Sequence, residues 1–217
     1  MASRSASELV SFLDEVVAEH KLAPRARMIL ALDATYSRSP TWDMAANLTA
    51  SMLKETQGLD VQLAFYRGAG EVKASGWISD PARLTQMMTR VTCAAGSTQI
   101  ERILAHAVKE TGVNALVFIG DAMEESPDIL ISRARELGRS GVKAFMFQEG
   151  DNAFAKKTFQ DIAASTGGAW AKFDAGAAKQ LGELLKAVVL VSIGGARALE
   201  GRQDEGSRLL LGQMRQS

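Results

Sequence analysis

From Thr98 to Ile193 the sequence alternates regularly between segments whose apolar residues fall at helical spacing and short, largely apolar runs, without an internal sequence repeat. "TQIERILAHAVKETG" precedes "NALVFIGD", "PDILISRARELGRSG" precedes "VKAFMFQEG", and "NAFAKKTFQDIAASTGG" precedes "AWAKFD"; "AAKQLGELLKAVVLVSI" closes the series. An apolar run without polar alternation has no face to give to water. It is a strand covered on both sides, as in parallel sheets whose crossovers are helices. The pattern predicts an α/β fold, doubly wound and Rossmann-like, with a mostly parallel central sheet and helices on both faces.

The first half of the chain adds to this frame. Leu9, Phe12, Leu13, Val16 and Val17 share one helical face, and "KLAPRAR" links them to a strand at 28–32. "TWDMAANLTASMLKETQG" reads as a helix begun at Thr41 and ended by Gly58. "DVQLAFYRG" and "GEVKASGWI" flank a Gly-Ala-Gly turn, hence a hairpin, and "DPARLTQMMTRV" opens a helix with an Asp cap and a first-turn proline. Strands at 28–32, 115–120, 142–147 and 169–173 are expected to be parallel, with the hairpin strand at 71–77 antiparallel at an edge. Residues 1–25 form an N-terminal helix and linker, residues 26–199 one domain, and residues 200–217, rich in Gly, Gln, Arg and Ser, a loose, flexible tail with room for a last turn at "SRLLLGQM".

The totals exclude several classes. Of 217 residues, 25 are basic and 25 acidic, so no global field attracts nucleic acid or an anionic membrane. The single cysteine, Cys93, rules out an internal disulfide and a multi-cysteine zinc site. The N-terminus lacks the apolar core of a signal peptide, and the run at 187–196 is too short to span a bilayer. These features point to a cytoplasmic protein.

Two strands end in aspartate, Asp33 after "MILAL" and Asp121 after "ALVFIG". Open parallel sheets bind ligands beyond the carboxyl ends of their strands, where strand order reverses. Thr35 and Ser37 follow Asp33 at alternate positions and share a direction if the segment stays extended. Thr98 stands at the entrance to a helix after Gly96 and Ser97. Such a set of hard oxygen donors, with no cysteine or histidine among them, suits Mg²⁺, with Mn²⁺ or Ca²⁺ as the other candidates.

In this order and spacing, Asp33, Thr35, Ser37, Thr98 and Asp121 resemble the metal-ion-dependent adhesion site of von Willebrand factor type A (VWA) domains, whose pattern is D-x-S-x-S, a distant threonine and a distant aspartate. Thr35 stands where that pattern has serine and keeps its hydroxyl. The likeness runs over roughly residues 26–195 and includes the position of the hairpin. It implies a divalent cation, usually Mg²⁺, completed by an Asp or Glu of a partner protein, and a binding module without chemistry of its own. In cytoplasmic members of that family, partners include AAA-type ATPases and other assembly factors. Arg38, Trp42 and Glu124 are expected on the rim that meets the partner.

A phosphatase is the alternative, with Asp33 as nucleophile and Asp121 on Mg²⁺, as in haloacid-dehalogenase-like enzymes. Those enzymes need a second aspartate two residues after the first to move protons. Thr35 stands there instead, and "FIGD" comes too early, with two strand-and-helix pairs still to follow. His20 and His106 read as surface or packing residues, and no nucleophile elbow surrounds a serine.

Overall fold

A computed structural model describes residues 25–38, 58–174 and 177–215. Six strands form one sheet: β1 (Ala26–Asp33), β2 (Leu59–Arg67), β3 (Glu71–Ala74), β4 (Ala115–Gly120), β5 (Lys143–Glu149) and β6 (Ala169–Phe173). Their order is β3-β2-β1-β4-β5-β6. β2, β1, β4, β5 and β6 run parallel, and β3 pairs antiparallel with β2 at the edge. The expected doubly wound, mostly parallel sheet is therefore the one observed. The expected helices at 7–19 and 41–57, and Trp42 with them, lie outside the described residues.

The helices are α1 (Pro81–Met88), α2 (Ile100–Lys109), α3 (Pro127–Arg139), α4 (Ala153–Ser165), α5 (Ala178–Gly194) and α6 (Glu205–Met214). Strand alternation sends Met28, Leu30 and Leu32 into one core with Leu84, Leu184 and Val188, on the side of α1 and α5. Ile29 and Ala31 face the other core with Ile103, Leu130 and Phe159, on the side of α2, α3 and α4. Every residue of β4 is buried, as a central strand of a two-sided sheet must be. Local chemistry sets the helix starts. Asp80 accepts a hydrogen bond from Ala82 N at 2.9 Å, and Asn152 accepts from Phe154 N and Ala155 N at 3.1 and 3.0 Å.

The chain turns to one side of β1 through β2 and β3, and to the other side through β4, β5 and β6. The reversal of strand order therefore lies between β1 and β4. Asp33 ends β1, and Asp121 follows the last residue of β4.

Residues 200–215 are not a loose tail, which corrects the expectation from composition. A 3₁₀ turn (Ala196–Leu199) leads into α6, where Asp204 caps by accepting from Ser207 N at 2.9 Å, and Leu210 is fully buried. Gly206 lets α6 approach α5 closely: a Cβ there would stand 2.6 Å from the backbone carbon of Glu183. Gln213 completes the open edge of β6. Its Oε1 accepts from Trp170 N at 2.9 Å, and its Nε2 donates to Trp170 O at 2.7 Å. The side-chain amide stands where a seventh strand would otherwise pair. Glycine and glutamine read as loop formers in sequence because both uses depend on a partner some 20 to 45 residues away.

Candidate functional site

Asp33 is buried at the tip of β1, and its two oxygens are oriented separately. Oδ1 accepts from Thr35 N at 2.8 Å, and Oδ2 accepts from the Tyr66 hydroxyl at 2.9 Å. Tyr66 is the residue opposite Asp33 in the β1–β2 register, so the two side chains leave the same face of the sheet. Beyond Asp33 the segment does not stay extended, contrary to the alternating reading. Arg38 N donates to Thr35 O at 3.0 Å and closes a 3₁₀ turn over Tyr36–Arg38. The turn nevertheless brings the Thr35 and Ser37 hydroxyls together, Oγ to Oγ at 3.2 Å.

Gly120 admits the end of β4 to the same place. A Cβ there would lie 3.4 Å from Asp33 Cβ and 2.7 Å from the Phe118 ring. Asp121, the next residue, is half-buried, and its Oδ1 is buried without a hydrogen-bond partner. Asp33, Thr35, Ser37 and Asp121 thus share one rim at the strand-order reversal. Among the described residues no three His, Cys, Asp or Glu side chains converge in a metal-binding group.

Thr98 arrives on a strip stitched across the strand tips. Ala94 N donates to Ala34 O at 3.0 Å, and Gly68 N donates to Ala94 O at 3.4 Å. The Thr98 hydroxyl donates to Glu125 Oε2 at 2.8 Å and accepts from Glu124 N at 2.9 Å. Glu125 Oε1 accepts from Glu101 N at 2.8 Å, so this carboxylate, and no residue of α2 itself, satisfies the free N–H at the start of that helix. Glu124 is exposed on the rim, with Oε2 accepting from Thr98 N at 3.3 Å.

Arg38 departs from its expected place. It is buried rather than presented to a partner, and its guanidinium pairs with Glu149 at the end of β5 and lies 5.9 Å from the Phe173 ring centroid. The exposed aromatic of the segment is Tyr36, 71% accessible. Sequence reasoning missed Tyr66 as the partner of Asp33 and Glu149 as the partner of Arg38. The signal available for Tyr66 was a hydroxyl-bearing residue at the end of the strand next to "MILALD". Nothing local marked Glu149.

Burial pushes the Asp33 carboxyl above the ordinary aspartate range. The hydrogen bonds from Thr35 and Tyr66 oppose this, and the neighbouring charge of Asp121 reinforces it. Burial likewise pushes Glu125 up, against the bonds from Glu101 N and Thr98. A carboxyl with a raised folded pKa supplies stability that is full below its unfolded pKa and is lost as pH rises through the folded value. Asp33→Asn, which can accept from Thr35 N and donate to Tyr66, is therefore expected to melt a few degrees above wild type at pH 7 in EDTA. That advantage should shrink as pH falls through the ordinary aspartate range of about 4. Thermal melts at pH 7 and pH 4 check this; a variant that melts below wild type at pH 7 would contradict it.

The architecture is that of the VWA fold. No family model matches the chain, and no curated protein matches it in sequence. The likeness is to solved structures, at identities that speak for the fold alone. Proximal thread matrix protein 1 from the mussel byssus, with a zinc-occupied MIDAS motif, superposes with a TM-score of 0.62 at 18% identity, over 87% of this chain and 53% of that one. The vWF domain of the type V pili tip protein Mfa5 from Porphyromonas gingivalis gives 0.60 at 11%, over 84% of this chain and 100% of that one. The conserved hypothetical protein BatB from Bacteroides thetaiotaomicron gives 0.59 at 16%, over 73% and 96%.

These neighbours correct the cytoplasmic expectation. A pilus tip protein and a byssus matrix protein work outside the cell, so the fold carries no cytoplasmic assignment, and one cysteine with a polar N-terminus does not supply it. Among the described residues no helix is long and apolar enough to cross a membrane.

Proposed function

We propose that the protein is a protein-binding module without catalytic chemistry, whose docking centre is the rim between β1 and β4. Asp33, Thr35, Ser37 and Asp121, with Thr98 directly or through water, would hold a divalent cation there. Mg²⁺ fits the oxygen donors best, with Mn²⁺ and Ca²⁺ as the other candidates. The partner group is an Asp or Glu carboxylate of another protein. Asp121 Oδ1 carries this reading: a buried acceptor without a partner, beside a second buried carboxylate and a pair of hydroxyls, is costly unless a cation faces it. When bound, the ion supplies a positive, directional target for an incoming carboxylate oxygen.

The chain's own residues orient and frame that target. Tyr66 and Thr35 N fix both oxygens of Asp33, and Glu125 anchors the Thr98 segment to the start of α2. Tyr36 and Glu124 stand exposed where a partner would meet the rim. The phosphatase reading lacks comparable support, because the residue two after Asp33 brings a hydroxyl against Ser37 rather than a carboxyl able to move a proton.

Isothermal titration with MgCl₂ and MnCl₂ tests the proposal. Wild type is expected to show one weak-to-moderate site, and Asp33→Ala none, while circular dichroism shows the fold retained. Equal binding by the two proteins would refute the assignment.

A further inference from the structure

Asp33 and Tyr66 stand opposite each other in the β1–β2 register, and both are buried. The Tyr66 ring lies in the core on the side of α2, α3 and α4, stacked on Phe118 with ring centroids 6.2 Å apart. Phe118 in turn meets Phe159 edge-on at 5.5 Å. A ring packed this way cannot swing its hydroxyl aside. Among the described residues the acceptor that hydroxyl meets is Asp33 Oδ2, at 2.9 Å, while Thr35 N donates to Oδ1 at 2.8 Å. Both oxygens of Asp33 therefore carry a donor before any ion arrives, whereas Asp121 Oδ1 carries none.

The two carboxylates are thus not equivalent toward a cation. Mg²⁺ takes single oxygens in a tight octahedron, while the larger Ca²⁺ accepts more ligands and can take a carboxylate through both oxygens. An ion that grips Asp33 through both oxygens must share Oδ2 with the Tyr66 proton. The other course is to displace that proton and leave a buried phenol without an acceptor, which carries a full desolvation penalty. An ion that uses Oδ1 alone leaves the Tyr66 bond intact. We propose that Tyr66 is a positioning residue that sets which divalent ion the rim prefers. By holding Oδ2 of Asp33, its hydroxyl confines this carboxylate to a one-oxygen contact, which suits Mg²⁺ and handicaps Ca²⁺. The proposal rests on the reading of the rim as a cation site and adds the residue that selects the ion. Tyr66 touches no ion itself and acts through Asp33.

The test is calorimetric titration with MgCl₂ and with CaCl₂ of wild type, Tyr66→Phe, Tyr66→Met, Phe118→Leu and Asp33→Ala. Circular dichroism and thermal melts establish which of them are folded. Y66F keeps the ring on Phe118 and removes only the hydroxyl, and Y66M removes the hydroxyl with the ring. F118L loosens the same core and leaves the hydroxyl in the chain. Y66F is expected to lower the ratio of Mg²⁺ to Ca²⁺ affinity by roughly tenfold, the factor that one hydrogen bond to a charged group supplies. Y66M should shift the ratio the same way, F118L should melt below wild type with the ratio unchanged, and D33A should bind neither ion. A merely structural Tyr66 would lower the melting temperature and leave the ratio where it was. An unchanged or raised ratio in the folded Tyr66 variants, or an equal fall in F118L, overturns the role of Tyr66 while the cation site stands. Absence of binding by wild type overturns both, and binding that persists in D33A places the ion elsewhere and does the same. If neither Y66F nor Y66M folds, the hydroxyl is a structural requirement and the proposal falls.

Discussion

Leu210→Ala is expected to cost about 2–5 kcal/mol, the range for truncating a fully buried leucine that leaves a cavity behind. Leu210 has no exposed surface and belongs to the same core as Leu184 and Val188. Its helix also brings Gln213 to the edge of β6, so loosening α6 strips that strand of its substitute pairing at Trp170. Urea denaturation of the full chain measures the effect, with an unchanged m-value if unfolding stays two-state. A loose tail would give a change within about 0.5 kcal/mol, as exposed substitutions do. Such a small change would show that α6 is not part of the folding unit.

Gly96→Ala should cost about 3 kcal/mol and disturb the site as well. A Cβ at Gly96 would stand 2.0 Å from Gly68 O and 2.5 Å from Gly68 C, both backbone atoms in the turn between β2 and β3. A side-chain neighbour could rotate away, but a backbone carbonyl cannot. The strip must lift, which strains the bonds between Ala94 and Ala34 and between Gly68 and Ala94 and moves Thr98 off its partners. Gly212→Ala is the control. Its position in α6 has no heavy atom within 4 Å, so alanine there should stabilise by about 0.5–1 kcal/mol through helix propensity. The check is denaturation of both variants with Mn²⁺ titration of G96A. Wild-type stability in G96A would mean that the strip and the hairpin turn do not meet as described.

The frame of the molecule was legible because its signals are local. An all-apolar run as short as Ala115–Gly120, bounded by polar and turn-forming residues on both sides, reads as a strand covered on both faces. The caps at Asp80 and Asn152 act on their own next residues and were equally open to reading. The hairpin of β2 and β3 was marked by its turn, though β3 ends at Ala74, earlier than expected. There the Ser75 hydroxyl accepts from Leu63 N at 3.0 Å, while Ser75 N still donates to Leu63 O at 2.8 Å.

The site divides along the same line. Asp33 and Asp121 could be placed on one rim from strand ends alone, because a doubly wound sheet brings the tips of β1 and β4 together. The pairing of Thr35 with Ser37 came about through a 3₁₀ turn rather than the extended chain that the alternation suggested. Thr98 was correctly sought at a helix entrance. That its hydroxyl belongs to Glu125, 27 residues away, depends on the loop after β4 folding back over α2.

By itself the sequence determined which of the described segments between Ala26 and Gly194 are strands and which are helices, that the sheet is mostly parallel, and that two aspartates end adjacent strands. Periodicity, capping and the covering of apolar surface act over a few residues and leave little choice. Only the tertiary structure decided that Asp33 meets the hydroxyl of Tyr66, that Arg38 is buried against Glu149, and that a C-terminal helix closes the sheet edge with its glutamine. A buried polar group must find its partner wherever the fold puts one, and the distance along the chain to that partner carries no local signal.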